Sequence, residues 1–114
     1  MIYVIDDNMM IAECVAKACG VKRTRIFGDA IEAMRGINEK LPELILMDVM
    51  LTGPDGFTLL NELISYPDTM KIPVVLMTTA DLADVDLSVY GVVGILDKDT
   101  MTPEEIRGYA EKYC

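Results

Sequence analysis

The chain has 114 residues, the size of one domain with one core, and 52% are hydrophobic with no low-complexity stretch, which excludes a disordered chain. Nineteen acids against ten Lys and Arg give a formal charge of −9. Such a surface repels phosphate backbones, which argues against direct nucleic-acid binding and favours a basic partner surface or a bound divalent cation. The absence of histidine excludes histidine-based zinc sites and catalytic triads. No apolar run reaches the length of a membrane span, and the opening MIYVIDD has no basic region of a signal peptide. Cys14, Cys19 and Cys114 are odd in number and lack metal or redox spacing, so reduced thiols in a cytosolic protein are expected.

Ile2 to Ile5 reads as the first strand. Met9 through Ala18 repeats at helical spacing, with Asn8 as cap and Gly20 as terminator. Val21 to Phe27 reads as a weaker strand whose Lys22, Arg23 and Arg25 suit a sheet edge. Asp29 can cap a second helix running to about Lys40, with Ile31, Met34 and Ile37 expected to face inward. Leu44-Ile45-Leu46-Met47 is too short for a helix and does not alternate, so it reads as a strand buried on both faces, ending at Asp48. Thr52-Gly53-Pro54-Asp55-Gly56 is a dense turn signal. A helix over Phe57 to Ser65, a loop bracketed by Pro67 and Pro73, and a strand over Pro73 to Met77 follow.

Ala80 to Tyr90 should be another helix, but it holds Asp81, Asp84, Asp86, Val85 and Val89 and lacks a clean apolar stripe. It is expected to be the least regular and most mobile segment; the alternative is an ordinary helix held to the sheet by Leu82, Val85, Leu87 and Val89. Gly91 to Leu96 is the fifth strand. Thr102, Pro103 and Glu105 open a last helix with a capping box and an apolar face of Ile106, Tyr109 and Tyr113. Five alternations of strand and helix, with no repeat and no linker, predict one α/β domain over residues 1–114. Its expected architecture is a three-layer doubly wound sandwich around a parallel five-stranded sheet in order 2-1-3-4-5.

In such sheets the chemistry gathers at the carboxyl ends of the strands. Four of those ends carry Asp6-Asp7, Asp48, Thr78 and Lys98. Three carboxylates make a hard oxygen site of the kind Mg²⁺ prefers, and two acids held close raise each other's pKa unless a cation is bound. The first loop has no glycine, unlike a phosphate cradle. Asp48, directly after an apolar run, could act as a nucleophile toward phosphorus, with Thr78 and Lys98 stabilising the phosphoryl oxygens. Each residue also has a plainer reading. Asp6 or Asp7 could merely cap the first helix, Thr78 could be a cap, and Lys98 could be a solvated charge.

As a set, Asp6-Asp7, Asp48 followed by Pro54-Asp55-Gly56, Thr78, and Lys98 after Gly91-Val92-Val93-Gly94-Ile95-Leu96 resemble the response-regulator receiver domain of bacterial two-component systems, over essentially the whole chain. The resemblance implies a flavodoxin-like receiver fold. It also implies a phosphoacceptor switch in a phosphorelay, charged on Asp48 by a sensor histidine kinase or phosphotransfer protein. Asp7, Asp48 and the main-chain carbonyl of Met50 would bind Mg²⁺ directly, and Asp6 through water. Lys98 would pair with Asp48 or its phosphate, and Thr78 would follow the phosphate. The implied protein is cytoplasmic, acts on a downstream protein target and admits a weak homodimer. It dephosphorylates itself slowly without being a conventional enzyme.

The chain departs from the family in four places. Leu51 and Thr52 stand where Met-Pro is usual, Asp99 stands where proline usually follows the lysine, Ile95 stands near the position of a switching aromatic, and the fourth helix segment is short by about half a turn. Asp99 and Ile95 keep open a second reading, a pseudo-receiver that binds proteins without a phosphate switch. A flavodoxin-like or nucleotide-binding enzyme is disfavoured by the acidic, glycine-free first loop. The residues could stand alone or form the input domain of a larger transcription factor.

Overall fold

The computed structural model describes residues 1–50, 56–79 and 86–114. Within them, five strands form one sheet: β1 (Ile2–Ile5), β2 (Thr24–Phe27), β3 (Leu44–Asp48), β4 (Val74–Thr78) and β5 (Val92–Asp97). Every pairing is parallel and the order is β2-β1-β3-β4-β5, as the alternation predicts. The four described α-helices are α1 (Met9–Cys19), α2 (Ala30–Glu39), α3 (Gly56–Ile64) and α4 (Pro103–Tyr113).

β3 lies at the centre of the sheet and all five of its residues are buried. Its side chains alternate between two cores. Ile45 and Met47 join Tyr3, Phe27, Ile37 and Leu60 in the layer of α2 and α3. Leu44 and Leu46 join Val15, Val75, Ile106 and Ala110 in the layer of α1 and α4. Helices on both faces satisfy an apolar run that has no polar side to show to water.

The helix starts follow their sequence signals. Asn8 Oδ1 accepts from the N–H groups of Met10 and Ile11 at 3.1 and 3.3 Å, and Asp29 Oδ1 accepts from Glu32 N–H at 2.8 Å. Thr102 and Glu105 form a reciprocal capping box at the start of α4. Gly20, at φ +107°, closes α1 in a conformation that side-chain-bearing residues rarely adopt.

Three expectations need correction. Val21–Arg23 forms a 3-10 turn, so β2 begins only at Thr24; it is an edge strand, and Arg25 is the one basic residue of the expected three that it carries. Ile31 does not face inward and is 56% exposed. The buried stripe of α2 is Ala30, Ala33, Gly36 and Ile37, because the ring of Phe27 occupies the space where a Cβ on Gly36 would lie and the helix packs through its smallest residues. In the expected Ala80–Tyr90 helix, residues 86 and 87 are not helical and Ser88–Tyr90 is a 3-10 turn. Val89 there is exposed rather than held to the sheet, whereas Leu87 and Tyr90 pack on the core. The rest of that segment, the turn over residues 52–55 and the Leu51-Thr52 departure lie outside the described residues.

Candidate functional site

The site is assembled by strands that stop in register. β1, β3, β4 and β5 all end at the same edge, with Ile5 opposite Met47, Asp48 opposite Met77 and Thr78 opposite Asp97. Asp6 extends β1 by one residue, its N–H donating to the Phe27 carbonyl at 3.0 Å, and its side chain is fully buried. Asp48 is 5% exposed.

The two buried acids are held in the same way. One oxygen of each accepts a main-chain N–H two residues on: Asn8 N–H to Asp6 Oδ1 and Met50 N–H to Asp48 Oδ1, both 2.9 Å. The other oxygen of each faces Lys98, whose Nζ is 2.8 Å from Asp6 Oδ2 and 2.8 Å from Asp48 Oδ2. The contact to Asp48 is an aligned hydrogen bond; that to Asp6 is an ion pair that leaves Oδ2 without an aligned donor among the described residues. Asp7 lies at the exposed rim, and carboxylate oxygens of Asp6, Asp7 and Asp48 lie within 4.8 Å of one another.

This arrangement removes the plainer readings of three residues. Asn8 caps α1, so neither acid is needed for that task. Lys98 is not a solvated charge, since its side chain is only 12% exposed and bridges two acids. Thr78 is buried at the end of β4, and its carbonyl accepts Lys98 N–H at 3.1 Å. Met50 stands beside Asp48 with an exposed side chain.

Burial pulls the Lys98 pKa down, but its hydrogen bond to Asp48 and the close contact and charge of Asp6 and Asp48 outweigh that effect and hold the ammonium above its ordinary 10.5. The Lys98 ammonium contacts Asp6 and Asp48, and a carboxylate oxygen of Asp7 lies within 4.8 Å of one from each of them. The cluster of hard oxygen donors, and an Asp6 Oδ2 that has no aligned donor among the described residues, fit a small divalent cation.

Two further residues shape the site without a clear signal in the sequence. Gly56 packs so closely that a Cβ there would lie 2.6 Å from Val49 Cα, and its N–H donates to the Val49 carbonyl at 3.0 Å. Asp97 Oδ1 accepts Asp99 N–H at 2.8 Å and so folds the turn that carries Lys98. A Pro-Asp-Gly run marks a turn but not its close approach to β3, and an aspartate before a lysine reads as ordinary surface charge.

A parallel sheet of this order, with buried acids and a lysine meeting at its carboxyl edge, defines a doubly wound α/β fold with an acidic site where such folds place their chemistry. The sequence profile of the response regulator receiver domain matches residues 2–111, and the chain belongs to that family. It is 37% identical to the response regulator PleD of Caulobacter vibrioides over 86 residues, covering 70% of this chain and 18% of that protein. It is 32% identical to the DNA-binding response regulator MtrA of Mycobacterium tuberculosis over 90 residues, covering 75% of this chain and 38% of MtrA. The chain thus corresponds to well under half the length of these relatives. Among solved structures, the receiver domain of NtrX from Brucella abortus superposes with a TM-score of 0.85 at 27% identity, covering 99% of this chain and 97% of that one.

Proposed function

We propose that residues 1–114 act as one receiver that takes a phosphoryl group onto Asp48. The observation that carries this reading is the Lys98 ammonium, 2.8 Å from both Asp6 and Asp48 at the carboxyl edge of the sheet. Asp48 can present an oxygen to phosphorus, forming a P–O bond as the P–N bond of a phosphohistidine donor breaks and the imidazole leaves. Lys98 then follows the charge onto the phosphoryl oxygens, and the hydroxyl of Thr78 donates to them. Asp7, Asp48 and the Met50 carbonyl would hold Mg²⁺, with Asp6 acting through water; the ion would neutralise charge on those oxygens.

The implied donor is a sensor histidine kinase or phosphotransfer protein, and the implied compartment is the cytoplasm. Among the described residues no helix is long and apolar enough to cross a membrane. The surplus of acid over base does not favour nucleic acid as a direct ligand of this chain. The pseudo-receiver alternative is not favoured, because the acids and the lysine that a phosphate switch needs are all present, with Lys98 2.8 Å from Asp6 and Asp48 and an Asp7 oxygen within 4.8 Å of theirs.

Incubation with acetyl phosphate tests the proposal. Mg²⁺-dependent uptake of one phosphoryl group through an alkali-labile linkage is expected. No uptake at any Mg²⁺ concentration would leave the pseudo-receiver reading standing.

A further inference from the structure

Lys98 needs more than a long stem to stand between two buried acids. It follows an edge strand, so among the described residues one side of its backbone has no neighbouring strand to fix it. On the sheet side its N–H is tied to the Thr78 carbonyl at 3.1 Å. On the loop side the ties run back to Asp97. The Asp97 carboxylate accepts Asp99 N–H at 2.8 Å, and the Asp97 carbonyl accepts Thr100 N–H at 3.1 Å and Met101 N–H at 2.7 Å. Lys98 therefore sits inside a turn closed around the residue before it. An aspartate that bonds the main-chain N–H two residues on is a known way to impose such a turn.

We propose that Asp97 is a positioning residue for Lys98, and that residue 99 must carry an N–H for Asp97 to act. The two requirements are coupled. Asp99 supplies the donor at the place where the family usually has proline, and proline has no N–H. Asp99→Pro, which restores the family's usual residue, would here remove the bond that shapes the turn, and would also restrict the backbone of Lys98. Asp97→Asn keeps an oxygen that can accept the same N–H, whereas Asp97→Ala does not. The side chain of Asp97 is exposed, so its truncation leaves no cavity.

The effect on chemistry rests on the phosphoacceptor reading; the effect on Lys98 does not. The test therefore has two readouts in the wild type, Asp97→Ala, Asp97→Asn, Asp99→Pro and Lys98→Ala. One is the rate of phosphoryl uptake from acetyl phosphate at saturating Mg²⁺, with Mg²⁺ affinity measured beside it. The other is the ¹⁵N signal of the Lys98 ammonium, which is sharp only while hydrogen bonds slow its exchange with water.

Asp97→Ala and Asp99→Pro should lose about fivefold or more in uptake rate, the scale set by one missing hydrogen bond, with Mg²⁺ affinity unchanged. Asp97→Asn should lose clearly less than Asp97→Ala, since its amide oxygen keeps the bond, though a weaker one than the carboxylate makes. The Lys98 signal should broaden in Asp97→Ala and persist in Asp97→Asn. A sharp Lys98 signal and a wild-type rate in Asp97→Ala would overturn the proposal. So would equal losses in Asp97→Ala and Asp97→Asn, which would assign the effect to charge rather than to the bond. If the wild type takes up no phosphate, the phosphoacceptor reading fails, and the Lys98 signal alone decides whether Asp97 positions it.

Discussion

β3 and β5 each deliver one partner of the central ion pair, and they are built differently. β3 is buried at every position between two cores, so Asp48 is placed by the fold as a whole. β5 is an edge strand with a register shift opposite Val74 and Val75, and its Val93 and Ile95 are exposed. Lys98 is placed by a few local hydrogen bonds at the end of that looser strand. The acids are thus fixed by packing and the lysine by its turn. On the phosphoacceptor reading, this would keep the nucleophile rigid while the group that answers the phosphate stays adjustable.

The largest effects should come from the two partners themselves. Asp48→Asn removes the nucleophile but conserves size, so phosphoryl uptake should vanish while circular dichroism stays unchanged. It also relieves repulsion with Asp6 and Asp7, so the melting temperature without divalent cation should hold or rise. Lys98→Ala should slow uptake about a hundredfold, the scale of one lost charge-stabilising donor. Mg²⁺ affinity should hold or tighten in that variant, because a neighbouring cation has been removed. A large loss of Mg²⁺ affinity would contradict the division of labour between acids and lysine.

Packing gives the next contrast. Met47→Ala in β3 should cost about 2–5 kcal/mol in urea unfolding, as for other fully buried side chains. Ile95→Ala in β5 should cost less than about 1 kcal/mol, since Ile95 is 47% exposed. Equal costs would erase the distinction between the two strands.

Alkali offers a smaller effect, located in the core and away from the site. Burial pushes the Cys19 thiol from 9.0 up to about 11, against a lowering influence of Arg23 and together with a raising one of Cys114. The unfolded chain releases this proton first, so the contribution is intact below about pH 9 and is lost as the pH rises toward 11. Cys19→Ala should flatten that limb of the stability curve without changing phosphoryl uptake at neutral pH. An unchanged limb would mean that the thiol is not protected by burial.

The parts of the molecule that could be read from its sequence are those where one strong signal dominates. The four-residue apolar run before Asp48 requires cover on both faces, and the Asn8, Asp29 and Thr102 caps each precede a clear helical pattern. Ile31 was not legible because apolar periodicity gives little weight to alanine and glycine, and α2 buries exactly such small residues. Val21–Arg23 was not legible because valine beside two basic residues suits an edge strand as well as a turn, and the positive φ of Gly20 turns the chain first. The acids and lysine could be gathered at one edge from topology alone. The sharing of Lys98 between Asp6 and Asp48, and the part of Asp97 in placing it, depend on side-chain geometry that no spacing encodes.

Borohydride trapping tests the assignment of Asp48 most directly. The protein would be treated with acetyl phosphate and Mg²⁺, reduced with borohydride so that an acyl phosphate becomes an alcohol, and mapped by peptide mass spectrometry. Reduction at position 48 alone, absent in Asp48→Asn, is the predicted result. Reduction at Asp6 or Asp7, or at no residue of the wild type, would contradict it.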